Sequence, residues 1–443
     1  MLKKAIVDLK EKHLQLLIVL ATFLMVIARI FLNEKGRTNP DSIRFMRTAH
    51  LLPVVDNTVT PMGYPAAIKL FTFTGLGEFW ASKVIGLLAF FFMVYFSWRK
   101  KFFHRETVML SGLFSFVSLF SYTMSEALML PAMILFLFFA TQIINGKYQQ
   151  THGFLLLTVL LILLYNIRYP ALFIIGASGL YGIVRYRTSG KPFFFASICA
   201  LLFVVLYKFL FIDYFDENYT KDFLVIGMHP TSKLLTELWQ GLATVFNPFI
   251  HIANPGGGIV NYGIYGIGAL TILLMLFLFK RSKLQEAEVF FLIVAVTGFV
   301  CSYFIQYFYS VNPIDYRLMA PFSLPVWLLF FKKLYAKIGK LTYSITILSL
   351  LTGLVFTWLS RGNYLENRTH ISKYLKEEGL VEEPIKFYVT DPEQLDEIKV
   401  AELISTVNPH VNITLKPADT LLSSTLTKHK VLSKISIKTN RYQ

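Results

Sequence analysis

The residues of this chain that could do chemistry are charged side chains at the ends of long hydrophobic runs. The carboxylates in these positions are Asp41, Glu126 and Asp315, and the cations are Lys83, Arg168, Lys208 and Arg317. Holding a charge inside a bilayer costs about 2.5–3.5 kcal/mol on insertion scales, so such residues are candidate functional groups. A carboxylate can accept a proton, and an arginine or lysine can bind a phosphate or another anion. The set therefore suits proton transfer beside a bound anion.

Some of these charges also have a purely structural explanation. Long basic side chains near a helix end can reach the lipid headgroups, which would account for Arg29, Lys83 and Lys208. Glu126 is harder to explain in this way, because it lies in a very short turn between two apolar runs. We therefore expect Glu126 to have a functional or site-structuring role.

The most informative polar string follows the first hydrophobic run and begins at Asn39-Pro40-Asp41-Ser42. Asp41 is in a suitable place to cap the helix that the next residues predict. Ser42 could take over that role, however, and would leave the Asp41 carboxylate free for chemistry.

Composition decides what kind of protein presents these groups. Of the 443 residues 55% are hydrophobic and only 16% are charged, against about 25% charged in an ordinary soluble domain. A soluble globular enzyme is therefore excluded. The formal charge of +16 would suggest a nucleic-acid partner in a soluble protein. Cys199 and Cys301 both lie in apolar runs, so neither a disulfide framework nor a thiolate metal cluster is available.

Hydropathy predicts an α-helical polytopic membrane protein with about eleven transmembrane helices. The predicted segments are 13–32, 80–98, 107–124, 127–144, 153–167, 171–184, 192–212, 261–279, 289–309, 318–331 and 341–359. With the N-terminus inside, the inner connections carry a large excess of Lys and Arg, whereas the outer ones carry slightly more acid than base. This is the asymmetry expected of a cytoplasmic face. The positive charge therefore reflects membrane topology, and no nucleic-acid partner is expected.

Two domains follow from this topology. Residues 1–360 form the membrane domain, with long outer loops at 33–79 and 213–260 that contain amphipathic stretches at 41–52 and 231–246. We expect both stretches to lie along the membrane surface. Residues 361–443 are predicted to form a small extracytoplasmic α/β domain, with helices at 369–378 and 391–404 and strands at 385–389 and 411–415.

Several short motifs together resemble a known family. In the first outer loop Asp41, Phe45, Ala49 and Leu52 occur at helical spacing. The other motifs, in chain order, are Pro61-Met62-Gly63-Tyr64-Pro65, Ser125-Glu126-Ala127-Leu128, Arg168-Tyr169-Pro170 and Asp315-Tyr316-Arg317-Leu318-Met319-Ala320-Pro321. In ensemble they resemble the polyprenyl-phosphate-sugar-dependent glycosyltransferases of the GT-C superfamily. Residues 1–360 are most similar to the dolichyl-phosphate-mannose protein mannosyltransferases and the bacterial lipid A aminoarabinose transferases. Many members carry an Asp-Glu pair where this chain has Asp41-Ser42.

The resemblance implies an inverting transfer of a sugar from a polyprenyl phosphate to a lipid, protein or glycan acceptor. In this scheme Asp41 is the general base and the leaving phosphate is held by Arg168 and Arg317, with Lys83 or Lys208 in support. Glu126 and Asp315 would orient those cations or bind sugar hydroxyls, and Tyr64 would stack on the sugar. The scheme requires neither a cofactor nor a metal, although Asp41 and Asp56 could share a divalent cation. Membrane lipids surround the enzyme, which we place in a bacterial cytoplasmic membrane with its site on the outer side.

Other functions remain open at this stage. An O-antigen polymerase or ligase would use the second outer loop, where His229, Lys233 and His251 lie. A transporter or flippase of lipid-linked saccharides would predict inverted repeats and acids at mid-membrane, whereas the acids here lie at helix ends. A structural membrane protein without chemistry would not require charges to gather on one face.

Overall fold

A computed structural model describes residues 10–56, 58, 60–215, 231–252, 257–308, 314–391, 395–422 and 424–437. The fold is that of a helical polytopic membrane protein with a small three-stranded sheet near its C-terminal end. The helices of the membrane bundle are α1 Glu11–Leu32, α4 Glu78–Lys100, α5 His104–Ser111, α6 Phe114–Ser121, α7 Glu126–Ile144, α8 Gln150–Ile167, α9 Leu172–Val184, α10 Lys191–Tyr207, α12 Ile259–Lys280, α13 Glu286–Phe308, α14 Tyr316–Ile338 and α15 Tyr343–Leu359. In the described part of the chain the loops between them contain α2 Pro40–Leu51, α3 Gly63–Thr72 and α11 Thr231–Val245, besides a single helical turn at Asp213–Phe215.

Every predicted membrane segment contains helix in its described residues, but not every one is a single long helix. In the part of the chain that the structure describes, eight helical stretches are long and apolar enough to cross a membrane. One of them, Tyr316–Leu359, contains both α14 and α15, while α9 is short and follows a 3-10 turn at Tyr169–Ala171. The structure thus supports a polytopic protein without fixing the number of crossings at eleven.

The segment predicted at 107–124 is broken into α5 and α6 by Gly112 and Leu113. Nearly all of its side chains are buried inside the bundle. The break exposes a backbone N–H at Phe114, which donates to the Ser349 hydroxyl of α15 at 2.8 Å. A Cβ at Gly112 would lie 2.5 Å from the Thr346 side chain. Contact between α15 and the break therefore replaces the hydrogen bond that a continuous helix would have made.

The outside of the bundle is strongly apolar. On α1, Leu16, Leu20 and Leu24 are at least half exposed, while Ile18 and Met25 on the other face are buried in the main core. A soluble protein would not expose such a continuous apolar face. This surface is suited to contact lipid.

Helix α2 differs from the surface helix that its amphipathic pattern suggested, because both of its faces are covered. Phe45 and Ala49 pack with Tyr64 of α3 in one apolar cluster. Ile43 and Met46 face the other way and belong to the core of the C-terminal unit. Helix α2 is therefore held between the membrane bundle and that unit. The second amphipathic stretch forms α11, which packs on α12 and α14.

The C-terminal unit is α/β, as expected, and contains α16 Tyr364–Glu377, β1 Ile385–Tyr388, α17 Leu395–Ser405, β2 Val411–Thr414, β3 Thr425–Thr427 and α18 Lys428–Leu432. Its strands are parallel in the order β2-β1-β3. Strand β3 was not predicted, because three residues are too few to show a hydrophobic alternation. Helix α16 begins earlier than expected, at Tyr364, whose ring packs on Phe79 at the start of α4.

The C-terminal unit packs closely against the first outer loop. Gly36 has φ of +58°, and a Cβ there would lie 2.1 Å from the Tyr364 ring. Helix α17 packs on α2 and places Glu402 at the junction. The Glu402 side chain is buried there and interacts electrostatically with Lys35 and Asp41. Burial raises the pKa of Glu402 to about 7, and the negative charge of Asp41 adds to this effect.

We expect the stability of the protein to depend on pH through Glu402. In the unfolded chain the carboxyl loses its proton near its ordinary pKa of 4.5, whereas the folded protein retains it up to about pH 7. The contribution of Glu402 to the free energy of unfolding is therefore fully present below pH 4.5. It falls, by up to about 3 kcal/mol, as the pH rises from there to about 7. Thermal unfolding of the wild type and Glu402→Gln between about pH 5 and pH 8 tests this. Parallel pH profiles for the two proteins would contradict the assignment.

We also expect Gly86→Ala to destabilise the bundle by about 1–3 kcal/mol, the usual cost of overpacking. A Cβ at Gly86 would lie 2.1 Å from the backbone oxygen of Phe120, so α4 and α6 would have to separate. Gly263 of α12 has nothing within 4 Å of such a Cβ, and Gly263→Ala is the matched control. The measurement is the unfolding temperature in detergent. Equal shifts in unfolding temperature for both variants would show that α4 and α6 can accommodate a methyl group at Gly86.

Candidate functional site

Five of the eight predicted site residues line one cavity at the end of the bundle. This first cavity has a volume of about 310 Å³ and its charged lining residues are Asp41, Glu126, Arg168, Asp315 and Arg317. They come from α2, the start of α7, the end of α8 and the start of α14. Apolar side chains of α13 and α14, such as Ile305 and Leu318, complete the wall.

The innermost charge is Glu126, which is 1% exposed and is the first residue of α7. Its carboxylate lies 3.2 Å from Nη2 of Arg168. Arg168 also donates from Nη1 to the backbone oxygen of Arg317 at 3.1 Å. The start of a helix favours a negative charge, and the guanidinium neutralises it. Glu126 therefore positions Arg168, which in turn holds the start of α14.

Arg317 is fixed by its own neighbour in the same way. Asp315 caps α14, because its Oδ1 accepts the backbone N–H of Leu318 at 2.8 Å. Its Oδ2 accepts from Nε of Arg317 at 2.9 Å. Of the two roles expected for Asp315, orienting the cation is the one that these contacts fit.

Asp41 is not the capping residue of its helix. The N-cap of α2 is Asn39, whose side chain accepts the Ser42 N–H at 3.0 Å while the Ser42 hydroxyl accepts the Asn39 N–H. Asp41 lies between these two residues, its side chain is 44% exposed, and it is 3.6 Å from Arg44. Its carboxylate is therefore accessible from the cavity, which a proton acceptor requires.

The expected sugar-stacking role does not fit Tyr64. Its side chain is fully buried and its ring meets Phe45 edge to face at 5.1 Å between ring centres. Tyr64 supports α2 from beneath and does not line the first cavity. The motif Pro61 to Pro65 gave no sign of this burial, which depends on tertiary packing.

The two lysines also lie away from the first cavity. Lys83 is 2% exposed, and its Nζ donates to the backbone oxygens of Arg37 and Ser121 and contacts the Thr123 hydroxyl at 2.9 Å. Neither the predicted support of a phosphate nor a reach to the headgroups fits this position. Lys208 is 41% exposed and pairs with Asp213 at 2.7 Å.

Sequence reasoning missed a second cavity beside the first. It has a volume of about 530 Å³ and its lining residues include Tyr122, Glu237, Gln240, His251, Tyr265 and Tyr316. The two cavities share Ile314, Asp315 and Arg317. His251, a residue that the polymerase or ligase alternative would use, is 3% exposed. Of the other residues considered in this loop, His229 and the side chain of Lys233 lie outside the described residues.

The expected alternative in which Asp41 and Asp56 share a metal ion does not fit the position of Asp56, which pairs with Arg47. Asp56 accepts from Nε of Arg47 at 2.6 Å, and it does not line the first cavity. The described residues contain no group of three or more His, Cys, Asp or Glu placed to hold a metal ion.

Comparisons with known proteins give a likeness to solved structures. No family model and no curated protein matches the chain. A crystal structure of an oligosaccharyltransferase from Archaeoglobus fulgidus, tethered to an acceptor peptide containing the NVT sequon, is similar with a TM-score of 0.47 and 11% sequence identity. The likeness covers 92% of this chain but only 64% of the length of that protein.

We expect the pair of Glu126 and Arg168 to behave as a unit in stability measurements. Arg168→Gln should cost about 3–5 kcal/mol because it leaves a buried carboxylate alone, and adding Glu126→Gln should recover much of the loss. Lys208→Gln, which breaks the exposed pair with Asp213, is the control and should cost less than about 1 kcal/mol. Thermal unfolding of the purified protein is measured for four variants, namely Arg168→Gln, Glu126→Gln, the two combined, and Lys208→Gln. Additive losses in the double variant would mean that the two side chains do not interact.

Proposed function

We propose that this protein is a membrane glycosyltransferase that moves a sugar from a polyprenyl phosphate to an acceptor on the outer face of the membrane. The observation that carries the proposal is the first cavity, where an accessible carboxylate faces two arginines that are each held by an acid. These groups come from segments as far apart as residues 41 and 317, so only the folded bundle assembles them. The arrangement provides a proton acceptor beside a site for an anion.

The chemistry assigns one task to each group. Asp41 accepts the proton of the acceptor hydroxyl as its oxygen attacks the anomeric carbon with inversion. The bond between that carbon and the phosphate oxygen breaks, and its electron pair leaves with the phosphate. Arg168 and Arg317 stabilise the charge that develops there. Glu126 and Asp315 keep the two guanidiniums in place, so little reorganisation is needed during the reaction.

Arg44 has a supporting role in this scheme. It lies one helical turn after Asp41 and 3.6 Å from the carboxylate. In the absence of an acceptor this contact orients the carboxylate. Both side chains are about half exposed, so this contact can open when an acceptor enters.

The location at the outer face rests on the distribution of charge. Glu126 begins α7, Arg168 follows the end of α8, and Arg317 lies at the start of α14. The basic connections lie at the other ends of these helices, for example Lys332 and Lys333 beside Glu288. Under the positive-inside rule those ends are cytoplasmic, and the first cavity then faces outward.

We expect Asp41→Asn to lower transfer from a polyprenyl-phosphate sugar by about a hundredfold or more, because the amide cannot accept the proton. Expression and unfolding temperature should be unchanged, since Asp41 neither caps α2 nor is buried. Asp56→Asn is the matched control in the same loop and should retain activity. The measurement is transfer by purified protein with candidate acceptors.

Three other outcomes would be informative. Full transfer by Asp41→Asn would exclude it as the base. Loss of activity in Asp56→Asn as well, restored by added divalent cations, would favour the metal-sharing alternative. If Asp41 is dispensable and His251→Ala abolishes activity, the polymerase or ligase alternative is favoured.

A further inference from the structure

A third cavity lies at the junction between the first outer loop and the C-terminal unit. Its volume is about 110 Å³, not far below the engineered cavities of about 150 Å³ that hold a benzene molecule. Apolar side chains of α17 and α18, such as Leu403 and Leu432, form part of its wall. Its charged lining residues are Glu34, Lys35, Asp396, Lys399, Glu402 and Lys428.

Glu402 presents an unpaired carboxyl group to this cavity. The residue is 8% exposed, and its carboxyl group has neither a hydrogen-bond partner nor a cation within ion-pair distance among the described residues. Protein atoms do not seal its oxygens, so the cavity is the space that they face. A buried polar group normally has a hydrogen-bond partner. The carboxyl group of Glu402 therefore indicates a ligand that can donate to it.

A second carboxylate reaches the same cavity from the membrane domain. Glu34 lies in the turn after α1, and its Oε1 has no hydrogen-bond partner in the described part of the chain. The residue is only partly buried, and its other oxygen is not sealed. Glu34 and Glu402 thus approach the cavity from two different units. A cation between them would be held by both.

The third acid of the lining is already compensated by lysines. Lys399 lies 3.0 Å from one oxygen of Asp396, and Lys428 lies 3.9 Å from the other. These three charges therefore form a local cluster at the start of α17. The acids that a ligand could neutralise are Glu34 and Glu402.

Glu402 interacts with its charged neighbours only at a distance. Lys35 and Lys399 attract its negative charge, whereas Asp41 of α2 repels it. Burial outweighs this attraction and raises the pKa of Glu402 to about 7. A cation in direct contact with the carboxylate would supply the compensation that the lysines do not.

From these contacts we infer that the third cavity binds a small organic cation, a primary amine with a short apolar body. Its ammonium group, which has three N–H donors, would donate to Glu34 and Glu402, and its alkyl chain would lie against Leu403 and Leu432. A metal ion fits less well, because Ca²⁺ takes about six to eight oxygen ligands and only two carboxylates are available. This site goes beyond the proposed transfer reaction and does not depend on it.

The ammonium group could belong to a simple alkylamine or to an amino acid. Asp396 and Lys428 form the exposed side of the cavity, where their side chains are 42% and 31% exposed. The carboxylate of an amino acid would lie there beside Lys428. An alkylamine would leave that lysine to Asp396.

The test measures binding of three probes to the full-length protein in nanodiscs, from the rise in unfolding temperature with probe concentration. The probes are butylamine, the uncharged butanol of the same size, and norvaline, which is butylamine with an added carboxylate. We expect butylamine to bind at least about tenfold more tightly than butanol, because only the amine can neutralise the carboxylates. Tighter binding of norvaline than of butylamine would identify an amino acid as the ligand, and weaker binding would identify a simple amine.

The binding should also depend on pH through Glu402. The ammonium group replaces the proton that Glu402 holds below about pH 7, so butylamine should bind about tenfold more tightly at pH 8 than at pH 6. Glu402→Gln should weaken binding about tenfold or more and abolish this pH dependence.

Glu34→Gln should weaken butylamine binding to a similar extent and keeps the inference testable if the Glu402 variant does not fold. Glu377→Gln is the matched control, because this residue of α16 is 62% exposed and pairs with Lys373 at the surface. Transfer activity does not enter these measurements, so failure of this inference and failure of the proposed function are distinguishable. Equal binding of butylamine and butanol would overturn the inference, as would binding that is the same at pH 6 and pH 8 or that neither substitution weakens.

Discussion

The arrangement of the first cavity depends on the buried contact between Glu126 and Arg168. A carboxylate that is almost inaccessible to water needs a cation, and Arg168 supplies it from a helix that ends at the same depth. The same guanidinium holds the backbone of Arg317, so three helices meet where the charges are neutralised. An apolar bundle offers few directional contacts between its helices. The contacts from Glu126 through Arg168 to the backbone of Arg317 therefore fix the relative positions of these three helices more specifically than the surrounding apolar packing does.

Much of the architecture could be read from hydropathy, because a helix that faces lipid must be apolar over most of its length. The helices from Glu11–Leu32 to Tyr343–Leu359 follow that rule, and the α/β unit follows from local periodicity. The break between α5 and α6 could not be predicted, since it depends on a hydroxyl of α15 more than two hundred residues away. The covering of α2 on both faces has the same origin.

The candidate site was predictable in part for a similar reason. Glu126, Arg168 and Arg317 were identifiable because a charge at the edge of an apolar run stands out in the sequence. Tyr64 and Lys83 were assigned to substrate although packing places them elsewhere. The burial of Arg37 and His251 could not be predicted, because a residue in an irregular loop can be exposed or buried without any change in the pattern around it.

The position of α2 also has a consequence for the order of assembly. Asp41 is synthesised before most of the membrane helices, yet the apolar cluster that contains Ile43 and Met46 of the same helix is completed by residues that follow all of them in the chain. During synthesis the face of α2 that carries Ile43 and Met46 is therefore not covered by the C-terminal unit until the rest of the bundle has been inserted. The candidate base can therefore reach its final setting only late in biogenesis, which would keep a half-made chain from acting on substrate.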